Sequence, residues 1–254
     1  MPFTISHAAA VLPLSRTRLP LAALMIGSMT PDFAYFLPWQ TGNWSHSIPG
    51  LITFCWPAAM AAWLVFVHLL EAPTLALLPD RWRAVFPASD RALTPRNLAL
   101  ASIAVVLGAA THVFWDWFTH GNTPIVNNLY ALKHTSIELL GKTFPTYRFL
   151  QHLSTVIGLA ILTAWASRLR ATDTRRTHSP TVRAASHGER VIALVVLLTL
   201  STTFAIIGFF TDGELSFGRR LFHCAIGGMA GWALAWIVVS AFLQVRLRSQ
   251  PQAL

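Results

Sequence analysis

Charge is what this sequence lacks most. Only 11% of its 254 residues are Asp, Glu, Lys or Arg, where a soluble domain carries about 25%. A chain so short of solvating side chains argues against a soluble globule and for an integral membrane protein. Lysine is almost missing: 17 of the 19 basic residues are Arg, and the formal net charge is +9. In a soluble protein that balance would suggest nucleic acid. Here the arginines lie between apolar runs, and no basic patch is interleaved with aromatics. They read as topology determinants and contacts to anionic membrane lipid, and no nucleic-acid partner is expected.

Cysteine is scarce as well. Cys55 and Cys224 both sit inside apolar runs, where a thiol behaves as a small hydrophobe, so no disulfide framework is expected. The opening MPFTISHAAAVLPLSRTR has no basic segment ahead of its apolar stretch and does not read as a cleaved signal peptide. No internal repeat is visible.

Apolar length is what the chain has in quantity. A membrane helix needs about 20 apolar residues. Leu51–Leu70, Asn97–Phe118, Phe149–Arg168, Val191–Phe210 and Leu221–Val245 meet that need. A further stretch, Leu19–Trp39, is interrupted by Gly27-Ser28 and Thr30-Pro31-Asp32, and could span or turn back within the bilayer. The expectation is an all-α, polytopic membrane helical bundle of about five to seven spanning or re-entrant helices. It is read as one integral membrane domain over residues 1–254, with the motifs in 1–165 and two additional helices in 191–245.

The arginines orient these helices. The linkers Pro79–Arg96 and Arg168–Arg190 carry four and six arginines, and the tail carries Arg246 and Arg248. These fall on one side if the five helices alternate, and the lysine-only loop Thr119–Tyr147 and the short Thr211–Arg220 turn fall on the other. The positive-inside rule makes the first side cytoplasmic. His46, Asp32, the end of the Asn97–Phe118 helix and the Gln151-His152 pair then share the extracytoplasmic face.

One stretch on that face, THVFWDWFTH, carries His112, Asp116 and His120 at four-residue spacing. Side chains at i and i+4 share a helix face, but the three span ~12 Å of rise, so all three could meet one ion only across a bend. An ionisable group in a membrane helix costs on the order of 2.5–3.5 kcal/mol on insertion scales, which makes function its default explanation. Imidazole and carboxylate are ligands for zinc, and also for manganese or iron. The expected metal ligands are His7, Asp32, His46, His112, Asp116 and His120, with Asp32 or Asp116 as catalytic base. Ser47, Gln151 and His152 are expected around them as supporting polar groups, with Ser45 as a cap or hydrogen-bonding partner beside His46. His68 and His223 read as packing residues, His178 and His187 as solvated ones.

The motifs MPFTISHAAAVLPL, GSMTPDFAYFLP, WSHSIPG, THVFWDWFTH and LQHLST, in that order, resemble a bacterial membrane-protein family, domain of unknown function 4184, over about residues 1–165. More distantly the chain is similar to bacterial inner-membrane metal-dependent hydrolases. These share an N-terminal His (here His7), a glycine ahead of Pro-Asp (Gly27, Pro31-Asp32), a His-Ser segment (His46-Ser47) and a late His-x-x-x-Asp (His112, Asp116). The chain departs from them in having a bare SHS in place of an arginine-led segment. The more distant resemblance implies a bacterial inner-membrane metal-dependent hydrolase; a bound divalent ion would activate water against an ester or phosphoester, and a site at membrane depth suits a lipid or lipid-linked substrate. Two alternatives stand beside it: a proton- or metal-ion-handling transporter, and a non-enzymatic membrane protein stapled by a structural metal.

Overall fold

The computed structural model describes residues 4–37, 42–83, 89–139, 141–172, 182–211 and 216–249. Among these, five helices are long and apolar enough to cross a membrane: Ile48–Leu77, Pro95–Asn128, Thr146–Leu169, His187–Phe210 and Phe217–Arg246. They contain the five apolar runs of the sequence. The remaining sheet structure described is a two-stranded antiparallel hairpin, Ser136–Leu139 with Lys142–Pro145, in which Ile137 faces Phe144. The protein is an all-α, multi-spanning membrane protein. The interrupted stretch Leu19–Trp39 is not one of the five long helices: it forms a short α-helix, Leu21–Met29, then a 3-10 segment, Thr30–Phe36.

The chain groups into two compact units, Met1–Trp63 with Ala92–Leu169, and Leu64–Arg91 with Arg170–Leu254. The helix Ile48–Leu77 starts in the first and ends in the second.

The first unit is built on Pro95–Thr119, the continuous α-helix within the segment Pro95–Asn128. Thr94 caps it by accepting from the Asn97 N–H at 3.2 Å, and Pro95 occupies the first turn, where a missing N–H has no cost. Its buried residues Ala101, Ala104, Val105, Gly108, Ala109, His112, Val113 and Asp116 recur at three- and four-residue spacing. The stripe that begins as small apolar side chains therefore ends in an imidazole and a carboxylate. Leu21–Met29 crosses this stripe with its backbone in contact: a Cβ on Gly27 would lie 2.3 Å from the Val105 carbonyl oxygen, and one on Gly108 2.2 Å from that of Leu24. Only glycine allows that approach.

Three local departures from α-helix then bring polar residues to this crossing. At Thr30 the hydroxyl bonds back to the Ile26 carbonyl, and Pro31 begins the 3-10 segment that carries Asp32. The N-terminal segment Thr4–Arg16 is wound as a 3-10 helix. Three residues per turn puts Thr4 and His7 on the same edge. Ser47 caps the helix Ile48–Leu77 by accepting from the Gly50 N–H at 3.1 Å. That helix opens with a π-turn at Leu51–Cys55.

In the second unit His187–Phe210 and Phe217–Ser249 pack as an antiparallel hairpin. Its closeness depends on Gly227 and Gly231, whose Cβ atoms would lie 2.2 and 2.4 Å from the carbonyl oxygens of Phe204 and Leu200. Ser186 and Glu189 form a capping box, and Glu189 also pairs with Arg246. Trp236 donates to the Thr74 hydroxyl at 2.7 Å, and Gln244 to the His68 carbonyl at 3.2 Å. Glu71, buried, accepts from Ser89. Residues 173–181 of the basic linker, His178 included, lie outside the described residues. His187 is exposed at the start of its helix.

A buried histidine–aspartate cluster as candidate metal centre

The first unit brings His7, Asp32, His46, His112 and Asp116 together from four separate segments. His112 is 0% exposed, Asp32 2%, Asp116 4% and His7 5%. The Asp116 Oδ2 atom is 3.2 Å from His112 Nε2 and 3.4 Å from His46 Nε2; Asp32 Oδ1 is 3.3 Å from His46 Nε2 and 3.6 Å from His112 Nε2. On the other side, Asp116 Oδ1 lies 3.8 Å from His7 Nε2 and 3.5 Å from His120 Nδ1.

His120 reaches Asp116 because the helix ends one residue earlier. His120 takes extended backbone angles (φ −119°, ψ 132°), which swings its ring back along the helix rather than a further turn beyond it. Its Nε2 lies 3.2 Å from the Gln151 amide. Of the adjacent pair Gln151 and His152, Gln151 is buried and His152 is exposed. Ser47 is engaged with the Trp44 carbonyl and the Gly50 N–H, as a helix cap.

Three supporting contacts orient the cluster. His112 Nδ1 is 2.7 Å from the Ser28 carbonyl oxygen. A carbonyl only accepts, so Nδ1 carries the ring proton and Nε2 presents its lone pair to the carboxylates. Thr4 donates to Asp32 Oδ2 at 2.6 Å, which leaves Oδ1 for the cluster. Ser45 Oγ lies 3.0 Å from His46 Nδ1, on the ring edge away from the carboxylates. Of these three, Thr4 and Ser28 were not foreseen from the sequence. Thr4 had a signal in its three-residue spacing to His7. Ser28 acts through its backbone, which no side-chain pattern reveals.

Five buried atoms, His7 Nε2, Asp32 Oδ1, His112 Nε2 and both oxygens of Asp116, make no hydrogen bond among the described residues. A buried polar atom left so costs about 1–3 kcal/mol, and more when charged. The cluster's residues form two overlapping groups, His7–His112–Asp116 and Asp32–His46–His112, each with ligand atoms close enough together to hold a cation. The fit is also metric. Ligands about 2.0–2.1 Å from a tetrahedral zinc are about 3.4 Å from one another, and each of the two carboxylate oxygens, Asp32 Oδ1 and Asp116 Oδ2, lies 3.2–3.6 Å from both His46 Nε2 and His112 Nε2.

Electrostatics differ across the cluster. Burial opposes a charge on His46, but the Asp116 and Asp32 carboxylates outweigh it and hold its pKa up at about 10. His7 is driven the other way, to about 3, by burial and then by the facing His112 ring. The His46 and His120 side chains are 17% and 30% exposed, so the cluster opens on their side. Trp44, Ile48, Phe114 and Trp115 are exposed on the segments that carry these ligands.

Fold and cluster together define a class: a multi-spanning membrane protein enclosing a histidine–aspartate group of metal-ligand character. The chain belongs to the family described as Domain of unknown function (DUF4184), which it matches over residues 1–241. The family therefore takes in the two C-terminal helices as well as the motif-bearing residues 1–165, further than the motifs alone indicate. No curated protein and no solved structure matches the chain.

Proposed function

We propose that the protein is a membrane-embedded metal-dependent hydrolase acting on an ester or phosphoester of a lipid or lipid-linked substrate. The observation that carries this reading is the gathering of buried histidine and aspartate atoms, five of them without a hydrogen bond, into two overlapping groups spaced to hold a cation. Asp32, His46, His112 and Asp116 would hold a divalent ion, with His7 and His120 completing the ligand set. Zinc suits these donors best; manganese and iron also take imidazole and carboxylate. Such an ion lowers the pKa of water toward neutrality and polarises an ester oxygen.

The chain's own groups supply the rest. Ser28 holds His112 in the tautomer that ligates, and Thr4 ties one oxygen of Asp32 so that the other points inward. Asp32 and Asp116 are the carboxylates placed to accept a proton from an attacking water. The rims at His46 and His120 admit substrate, and the exposed apolar residues Trp44, Ile48, Phe114 and Trp115 on the same segments favour an amphiphile, whose chains they would meet. We place the protein in the bacterial inner membrane with its arginine-rich loops cytoplasmic, so that this opening faces the extracytoplasmic side.

The test is metal analysis of the pure protein, followed by hydrolysis of a panel of lipid esters and phosphoesters. Stoichiometric zinc, manganese or iron, and turnover lost in His112→Ala and Asp116→Ala while the fold persists, are expected. A protein free of metal, or variants that still turn over, would refute the assignment.

A further inference from the structure

We propose that Tyr35 is a further catalytic residue of this site, its hydroxyl donating a hydrogen bond to the ester oxygen on which charge gathers during hydrolysis. This rests on the hydrolase reading above and adds a group that stands outside the ligand set.

The 3-10 winding of Thr30–Phe36 brings Tyr35 to the site. With three residues per turn, side chains at i and i+3 share an edge, about 6 Å apart along the axis. Asp32 and Tyr35 therefore lie on one edge, and Phe33 and Phe36 on the next, their rings 6.4 Å apart. Asp32 fixes which edge faces the cluster: its Oδ1 is 3.3 Å from His46 Nε2 and 3.6 Å from His112 Nε2. Tyr35 follows one turn later, with its ring centroid 6.1 Å from that of His46 and the two planes at 54°. The phenol is half-buried and the His46 side chain 17% exposed, so the ring stands where the cluster opens.

A hydrogen-bond donor is what that opening needs. Water attacking an ester forms a bond to its carbon or phosphorus and gives a proton to a carboxylate. The displaced electron pair collects on the ester oxygen until the bond to the alcohol breaks, and the proton then leaves with the alcohol. Asp32 and Asp116 accept only, and His46 and His112 face them through Nε2. The Nδ1 proton of His112 is spent on the Ser28 carbonyl, and Nδ1 of His46 faces Ser45. Once these four hold an ion, none of them can donate to the substrate. A phenol can, and this one keeps its proton. Burial, and then the negative charges of Asp32 and Asp116, hold the Tyr35 pKa up at about 12. Both charges reach the hydroxyl, in keeping with its place beside the cluster. Tyr35 is therefore a donor throughout the working range and neither a base nor a nucleophile.

Kinetics on the ester or phosphoester that the unmodified protein hydrolyses best test this. In Tyr35→Phe, which keeps the ring, kcat should fall about 100- to 1000-fold, the cost of removing one such donor, while KM and bound metal stay as they are. The preference for the oxygen substrate over its thiono or phosphorothioate analogue should shrink as well, because sulfur accepts hydrogen bonds weakly. An unchanged kcat, an unchanged preference, or a fall matched by loss of metal overturns the role of Tyr35 while the hydrolase reading stands. An unmodified protein that hydrolyses no ester or phosphoester overturns both. Fluorotyrosine in place of Tyr35, close in size and a stronger donor, decides the matter even where Tyr35→Phe fails to fold. Its kcat should rise at constant KM, and an unchanged kcat overturns the inference.

Discussion

The Nδ1 atom of His112 lies 2.7 Å from the carbonyl oxygen of Ser28, across the crossing of the helices Leu21–Met29 and Pro95–Thr119. This contact fixes the tautomer of a fully buried ligand, and it exists because Gly27 and Gly108 let the two backbones touch. The orientation of the proposed ligand is thus set by two residues that carry no functional group.

It follows that Gly108→Val should empty the centre without altering a ligand. An added Cβ meets the Leu24 carbonyl oxygen at 2.2 Å, so the helices must separate and the His112 bond must lengthen. Metal content should fall well below that of the unmodified protein and thermal stability should drop. Gly188→Ala, where nothing lies within 4 Å of an added Cβ, should leave both as they are. Full metal retention in Gly108→Val would contradict the account.

Thr4 is expected to matter through Asp32 alone. Removing a polar group that orients a ligand lowers metal affinity about 10- to 100-fold. Thr4→Val should show a loss of that size in competition against a chromogenic chelator, and Thr4→Ser should restore it. Equal affinities in all three proteins would mean that the 2.6 Å contact to Asp32 does not shape the site.

Metal affinity should rise with pH. The His46 pKa, held up at about 10 by the two carboxylates, keeps the ring protonated at neutral pH in the metal-free protein. An ion must displace that proton to bind. One proton released per binding event means about a tenfold gain in affinity per pH unit. Chelator competition at pH 6.5 and 7.5 measures the slope, and a flat profile would show that His46 binds without losing a proton.

Orientation in the membrane can be read from labelling. In a protein with Cys55 and Cys224 replaced, a cysteine at Glu138 should react with a membrane-impermeant maleimide in intact cells. One at Ala184 should react only after permeabilisation. Both positions are exposed. The reverse pattern would invert the topology inferred from the arginines.

Much of this architecture was legible in the sequence because hydropathy and helix period are local properties. Five apolar runs contained all that was needed to find the five long helices. The i, i+4 spacing put His112 and Asp116 on one face, where the structure has them. Other features were set by how the chain stops being helical. His120 lies beyond the helix end and reaches Asp116 by turning back, the bend that its spacing from His112 required. Ser47 is used as a cap, and of Gln151 and His152 only the first is buried, a choice between neighbours that composition cannot make.

By itself, then, the sequence determined that the chain belongs in a membrane, where its long helices run, and which six histidines and aspartates are too costly to bury without a purpose. Those follow from the free energy of transferring side chains between water and lipid, which each residue carries with it. Tertiary structure alone decided that the six meet, that Asp116 turns one oxygen to each of two histidine sets, and that a backbone carbonyl and Thr4 hold the ligands in place. These depend on the close crossing of helices at Gly27 and Gly108 and on the winding of the N-terminal segment, which bring residues 84 and 28 positions apart in the chain to within a hydrogen bond.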